Sequence, residues 1–402
     1  MSAWLTVVGV GLEGVGGLPP SVRALLDTAD VIVGRKRLLE GITAKSAETH
    51  AWSSPIDDTL AQIEGWKGRK VIVLATGNPM HFGVGVTLAR RIPSDEITII
   101  PAPSAFSLAA ARLKWPLQGL ETLSLHGRPV SALHPFVQPG ARLLALTAGN
   151  ETIHEVSALL VARGFGKSIM TVLENMGSAD EHIIAMSADE CEQHEFADFN
   201  TLAIECTAGP GARFLPRVPG LPDDAFNNDG QLTKRDIRAI TLSALGPTPR
   251  ALLWDVGAGC GSIAIEWMRT APGARAIAFE RDENRIRLIA ENAVALGAPD
   301  LDIVSGDVAD SLGGHPAPSA IFLGGAVTSD AVFVTCWNAL VAGGRFVANS
   351  VTLEGDAALI ARHEAHGGEL VRIEVSHVGP VGARRVMRPR MSVLQWRTVK
   401  GQ

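Results

Sequence analysis

Apolar positions along the chain follow two rhythms, and the rhythms predict the elements. Short β-branched runs alternate with longer segments in which apolar residues recur at three-to-four spacing. "LTVVGV" reads as a strand. "PPSVRALLDTA" reads as a helix, because proline is tolerated in a first turn. "DVIVG" is a second strand, and "KVIVLATG" and "EITIIPA" each lead into a helix-like segment. "ARLLALTAG", "SIMTVLENM" and "TLAIECTAG" carry the β-rich pattern to about residue 208. The stretch 209–228 then changes character. Its prolines, glycines and asparagines withhold ladder donors and favour turns, so it is expected to be a linker between domains 1–208 and 229–402.

The second part alternates more regularly. "LLWDVG", "ARAIAFE", "DLDIVSGD", "SAIFLGG" and "GRFVANS" read as strands with helical stretches between them, among them "SIAIEWMRT" and "ENRIRLIAENAVALG". That order predicts an α/β fold with a doubly wound parallel sheet. "GELVRIEVSHV" and "MSVLQWRTV" are expected to pair antiparallel at one sheet edge.

Composition narrows the function classes. With 402 residues, two or three domains are expected at ~150 residues each. Hydrophobic residues make up 46 %, enough for full cores. The net charge is −6 with no basic stripe, which argues against sequence-independent nucleic-acid binding. The four cysteines are far apart in sequence, so neither a disulfide framework nor a zinc site is expected, and a reducing cytoplasm fits. The apolar N-terminus lacks a basic flank and breaks at Gly9, and no apolar run is long enough to span a bilayer.

Two glycine turns carry candidate chemistry. A dinucleotide fingerprint places its third glycine where Ser262 stands, and the observed pattern is Asp255-x-Gly257-x-Gly259-x-Gly261. Asp255 would repel a pyrophosphate and attract the ammonium and sulfonium of S-adenosylmethionine. Glu280 ends the next strand, where a carboxylate can accept ribose hydroxyls in either kind of site. Asp307 ends the third strand, placed to accept an adenine amino group with Val308 against the ring. Capping of the following helix is the alternative role for Asp255, and a solvated strand end that for Glu280. Cys260 reads as a small filler. After the fourth strand Gly324 and Gly325 offer bare backbone, suited to a large flat substrate rather than to a nucleobase amine.

"DGQLTKRDIRAITLSAL", "WDVGAGCGSIAIEW", "AIAFERD", "VSGD", "IFLGG", "GGRFVANSVTLE" and "HGGELVRI", in that order, resemble the C-terminal half of the precorrin-6Y C5,15-methyltransferase (decarboxylating) family of the aerobic cobalamin pathway. "VVGVGLEGVGGLPPSVRALLDTADVIVGRKRLLE", "TGNPMHFGVG", "IIPAPSAFSLAAARL" and "LSLHGRP" resemble the tetrapyrrole methylase family. The resemblance implies a two-lobed tetrapyrrole methylase fold joined to a Rossmann-like class I methyltransferase fold. It implies two S-adenosylmethionine sites, no metal, precorrin-6B as substrate and precorrin-8 as product. The first domain would methylate carbon 5. The second would methylate carbon 15 and remove the ring-C acetate carboxylate. A homo-oligomer with no nucleic-acid or membrane partner is expected.

Residue by residue, the resemblance assigns C-terminal cofactor contacts to Thr233, Gly257, Ala258, Gly259, Cys260, Gly261, Glu280 and Val308, with Asp307 beside them. Thr233 has helix capping as its other reading. In the first domain the resemblance turns the opening Gly9, Gly11 and Gly14 toward the macrocycle cleft. It assigns the cofactor to Gly77, Asn78, Pro79, Ser104 and Ala105. Asn78 replaces the family's aspartate and Ala105 one of its hydroxyls, each change costing about 1 kcal/mol of hydrogen bonding. A degenerate first domain therefore stays open. So do an NAD-dependent dehydrogenase and a nucleic-acid methyltransferase, each the poorer fit to the motifs. A substrate with many carboxylates calls for arginines. Arg384, Arg385, Arg388 and Arg390, Arg35 with Lys36 and Arg37, and Arg128 with His126 are the candidates, with a solvated surface charge as the alternative for each.

Overall fold

A computed structural model describes residues 3–42 and 47–401. The chain forms two compact units, Met1–Val130 with Pro139–Arg213, and Ser131–Gln138 with Phe214–Gln402.

The first unit holds two sheets. Strands β1 (Leu5–Val10), β2 (Val31–Gly34), β3 (Glu48–Ala51), β4 (Val71–Thr76) and β5 (Ile97–Ile100) form a parallel sheet in the order β3-β2-β4-β1-β5. Alternate residues pack to opposite faces. Leu5, Val7, Val31, Val33, Val71 and Val73 join one core, and Val8, Val10, Ile32, Ile72 and Leu74 the other. Burial on both faces explains why these strands read as near-continuous apolar runs. A mixed sheet follows, built from β6 (Glu121–Ser124), β7 (Arg142–Leu146), β8 (Ile169–Glu174), β9 (His182–Ser187) and β10 (Asn200–Glu205), in the order β6-β7-β10-β8-β9.

The second unit is one seven-stranded sheet. Its strands are β11 (Leu252–Val256), β12 (Arg275–Glu280), β13 (Asp302–Ser305), β14 (Ala320–Leu323), β15 (Arg345–Ser350), β16 (Glu369–Ile373) and, after a hairpin of β17 (Ser376–Val381) and β18 (Arg384–Pro389), β19 (Val393–Val399). The order is β13-β12-β11-β14-β15-β19-β16. The first five strands are parallel, and β19 runs antiparallel between β15 and β16. The expected doubly wound sheet and its antiparallel edge are both present. Leu253, Ala276, Ala278, Phe322 and Val347 face one core; Trp254, Val256, Phe279, Leu323 and Phe346 face the other. Each fully buried Val, Leu or Phe side chain among them contributes about 1.5–3 kcal/mol.

The stretch 209–228 departs from a free linker. Leu215, Leu221 and Phe226 are buried in the core of the second unit. Arg238, fully buried, donates to Glu266 at 2.6 Å and to the carbonyls of Leu221 and Thr233, and stacks over Phe226 at 4.8 Å. Glu266 in turn accepts the backbone N–H of Gly220 and of Leu221. Turn residues deny this stretch a ladder, but a buried ion pair supplies partners for its backbone instead.

Candidate functional site

The parallel strands of the second unit end at one edge, and the loops there line a cavity of about 1500 Å³. Open α/β sheets bind ligands at that edge, where the strand order reverses; here that point lies between β11 and β14. Gly257, Ala258, Gly259, Cys260, Glu280, Asp307, Val308 and Thr233 all line it, so the structure brings together seven residues of three strand ends and one upstream loop residue. Gly261 lies just behind, at the N-cap of the helix Ser262–Thr270.

The glycine turn is held by carboxylates. Glu280 accepts the Gly259 N–H at 2.8 Å on Oε2, and the Arg281 and Asp282 N–H groups at 3.0 Å on Oε1. A carboxylate offers about four lone-pair sites, so one on Oε2 is left for a ligand hydroxyl. Asp255 does not line the cavity. It is 1 % exposed, beneath the turn, and Oδ2 accepts the Ala264 N–H at 3.0 Å. Its Oδ1 is buried without a partner. Burial, aided by the nearby Glu280 charge, pushes its carboxyl up to about 7. The attraction to a sulfonium expected of Asp255 gives way to its alternative role: it holds the first turn of the helix.

The bare backbone of Gly324 and Gly325 also has an internal cause. A Cβ on Gly257, whose φ is +74°, would lie 2.6 Å from the Gly325 Cα, so the two loops touch backbone to backbone. A Cβ on Gly324 would meet the Phe322 ring at 2.7 Å. Thr233 does not cap the helix Arg235–Leu245, whose N-cap is Lys234 with no side-chain cap bond. Burial pushes the Cys260 thiol up to about 11, which suits a filler. Asp307 caps the short helix Val308–Ser311 through Ala309 N–H at 3.0 Å, leaving its other oxygen for the cavity side.

The arginine candidates separate. Arg384, Arg385 and Arg388 lie on exposed β18 and are not among the cavity's lining residues; Arg390, just past it, is. Lys234, Arg235 and Asn349 also line the cavity, as do Asp236 and His377, which meet at 3.3 Å. Sequence reasoning passed over Lys234, Arg235 and Asn349. A charged residue at a helix start and an amide in an apolar strand carry no distinctive spacing.

In the first unit three loops converge at the ends of β1, β4 and β5. A Cβ on Gly9 would fall 2.3 Å from the Gly77 carbonyl oxygen and 2.5 Å from the Ala102 nitrogen. Gly9 is thus a packing glycine that brings the "TGNP" and "PAPSAF" turns together. Gly77 has φ +67° and donates to Val10 at 2.8 Å. Asn78 Oδ1 accepts the Met80 N–H at 2.9 Å, and Pro79 is buried. Ser104, also buried, accepts the Ser107 N–H at 3.1 Å and caps the helix Ala105–Leu113, so its hydroxyl serves the helix first. Ala105 is half-buried beside it. Arg35 and Arg128 are exposed.

Two family models match successive parts of the chain. The tetrapyrrole (corrin/porphyrin) methylase family matches residues 5–192, and the precorrin methyltransferase domain family matches residues 224–400. The chain is 44 % identical over its whole length to precorrin-6Y C(5,15)-methyltransferase [decarboxylating] of a Sinorhizobium species, covering 97 % of that protein. The chain belongs to the precorrin-6Y C5,15-methyltransferase (decarboxylating) family. A family member from Mycobacterium tuberculosis is 38 % identical over 98 % of this chain and all of its own. Among solved structures, the C-terminal domain of the Rhodobacter capsulatus family member is 40 % identical, with a TM-score of 0.44, covering 46 % of this chain and 99 % of that one.

Proposed function

We propose that the chain transfers two methyl groups from S-adenosylmethionine to one precorrin macrocycle, at carbons 5 and 15, and removes the ring-C acetate carboxylate as carbon dioxide. Precorrin-6B is the substrate and precorrin-8 the product, in cobalamin biosynthesis in the cytoplasm. The observation that carries this reading is the cavity in which the glycine turn, Glu280, Asp307 and Val308 converge, in a chain whose whole length matches one family. Domain 229–402 methylates carbon 15 and decarboxylates, and domain 1–208 methylates carbon 5.

The residues fit the cofactor. Gly257 and Gly259 of the turn line the cavity, and Glu280 keeps one acceptor site. When bound, S-adenosylmethionine supplies a methyl group on a sulfonium, open to in-line displacement. The chain's own task is alignment and exclusion of water, the largest contribution in a reaction whose nucleophile is already electron-rich. The reduced macrocycle has enamine-like meso carbons, so no strong base is required before attack. In the first domain Gly77, Asn78, Pro79, Ser104 and Ala105 hold the second cofactor. Arg390, Lys234 and Arg235 meet substrate carboxylates in the C-terminal cavity. The arginines of β18 serve carboxylates that reach beyond it, and Arg35 and Arg128 meet carboxylates of a macrocycle bound to the first domain. The assembly is a homo-oligomer.

Calorimetric titration of the full chain with S-adenosylmethionine tests the two-site claim. Two equivalents per chain are expected, one of them bound roughly 30-fold more weakly in Glu280→Gln. One equivalent in the wild-type chain, weakened in that variant, would make the first domain a scaffold.

A further inference from the structure

Asn349 stands near the end of β15 and lines the C-terminal cavity. Its register partner across the antiparallel pair is Gln395 of β19, so the two side chains share one face. Thr241, on the helix Arg235–Leu245, sits over both. Its hydroxyl donates to the Ile237 carbonyl at 2.8 Å and accepts from Asn349 Nδ2 at 3.0 Å and Gln395 Nε2 at 3.1 Å. Gln395 Nε2 also donates to Asn349 Oδ1 at 2.9 Å. Thr241 and Gln395 are fully buried, and Gln395 Oε1 has no partner. The fold therefore carries an unsatisfied buried carbonyl at this position, a cost natural cores avoid.

The network fixes the Asn349 amide. Turning it over would set its NH₂ against the Gln395 donor. As held, it leaves one N–H and one lone pair on Oδ1. The same cavity carries the cations Lys234, Arg235 and Arg390, and Val351, Val375 and Val393 also line it.

These two kinds of group suit two kinds of carboxylate. A carboxylate that survives the reaction is well held by a cation. One that leaves as carbon dioxide is not. Its negative charge departs as the bond breaks, so a cation would hold the ground state more tightly than the transition state and slow the step. A neutral, immobile amide places the group with far less of that penalty.

Resting on the function proposed above, we propose that Asn349 binds the ring-C acetate carboxylate that is lost, and that Thr241 and Gln395 are its positioning residues. The carbon–carboxylate bond breaks and its electron pair passes into a protonated conjugated imine of the macrocycle, giving a neutral enamine with an exocyclic methylene as carbon dioxide leaves. The enamine returns the pair to the methylene carbon, which takes a proton from water to become a methyl group, restoring the protonated imine and leaving hydroxide.

The test is turnover of the full chain with precorrin-6B and S-adenosylmethionine, reading methyl gain and carbon dioxide loss by product mass, with cofactor affinity by calorimetry. In Asn349→Ala, carbon dioxide release slows about 10- to 100-fold, the effect of one hydrogen bond to a charged group. Methylated, undecarboxylated product accumulates, and cofactor affinity is unchanged. Asn349→Asp, which keeps shape but sets like charge against the carboxylate, slows release further and remains readable if the alanine variant misfolds. Thr241→Val raises KM for the macrocycle more than it lowers kcat, with cofactor affinity again unchanged. Wild-type release in both Asn349 variants, or equal slowing of methyl transfer and release, overturns the assignment. A wild-type chain that releases no carbon dioxide instead overturns the function on which it rests.

Discussion

The two glycine turns look alike as text and are built on different physics. In the first unit, Gly9 is glycine because two other backbones arrive within 2.5 Å of where its Cβ would be. In the second unit, Gly257 likewise meets backbone, at Gly325, but the turn also hangs on Glu280, whose carboxylate collects three N–H groups. The first turn is a packing joint. The second is a packing joint whose supporting acid also lines the cavity, and in the function proposed above it is a ligand cradle as well. A glycine pattern alone does not separate the two; the group at the end of the neighbouring strand does.

The comparison can be broken most severely at Gly9. Gly9→Ala is expected to destabilise the first unit by about 3 kcal/mol, the upper part of the range for overpacking, while the second unit's unfolding transition stays in place. Differential scanning calorimetry checks this, and an unshifted first transition would contradict the packing role. Next comes Glu280→Gln. The amide keeps the shape but loses the charge and sets an NH₂ near backbone donors, for a cost of about 2 kcal/mol, or roughly 30-fold in C-terminal cofactor affinity. Affinity at the first site should not move.

Asp255 sharpens the contrast by pH. Burial raises its carboxyl to about 7, above the ~3.9 of an exposed aspartate. The folded state then holds the proton more tightly than the unfolded state. Stability from this group is fully present below about 4, falls as pH rises, and is lost above about 7. Denaturant unfolding of the wild type and Asp255→Asn across that window should differ with a slope of this sign. A difference independent of pH would contradict the buried, helix-holding role.

Much of this was legible from the chain, for reasons that particular residues make plain. Strands buried on both faces, such as Leu252–Val256 and Ala320–Leu323, announce themselves as apolar runs, and strand ends then locate Glu280 and Asp307. Exposed strands do not. Glu48–Ala51 and the whole hairpin of β17 and β18 face solvent and show no alternation to read. The segment 209–228 misled because its turn residues outnumber Leu215, Leu221 and Phe226, and because the buried Arg238–Glu266 pair that receives it joins residues 28 positions apart. Ser131–Gln138 packs with the second unit although the chain around it belongs to the first, which no local pattern encodes. Asn349 became visible only when β19 was seen to insert between β15 and β16 and set Gln395 beside it.

In the function proposed above, one chain performs two methyl transfers and a decarboxylation on one macrocycle. Incubating the full chain with precorrin-6B and excess S-adenosylmethionine, and weighing the product by mass spectrometry, tests it directly. A gain of two methyl groups and the loss of one carbon dioxide are expected. A product that gains a single methyl group, or that keeps every carboxylate, would contradict it.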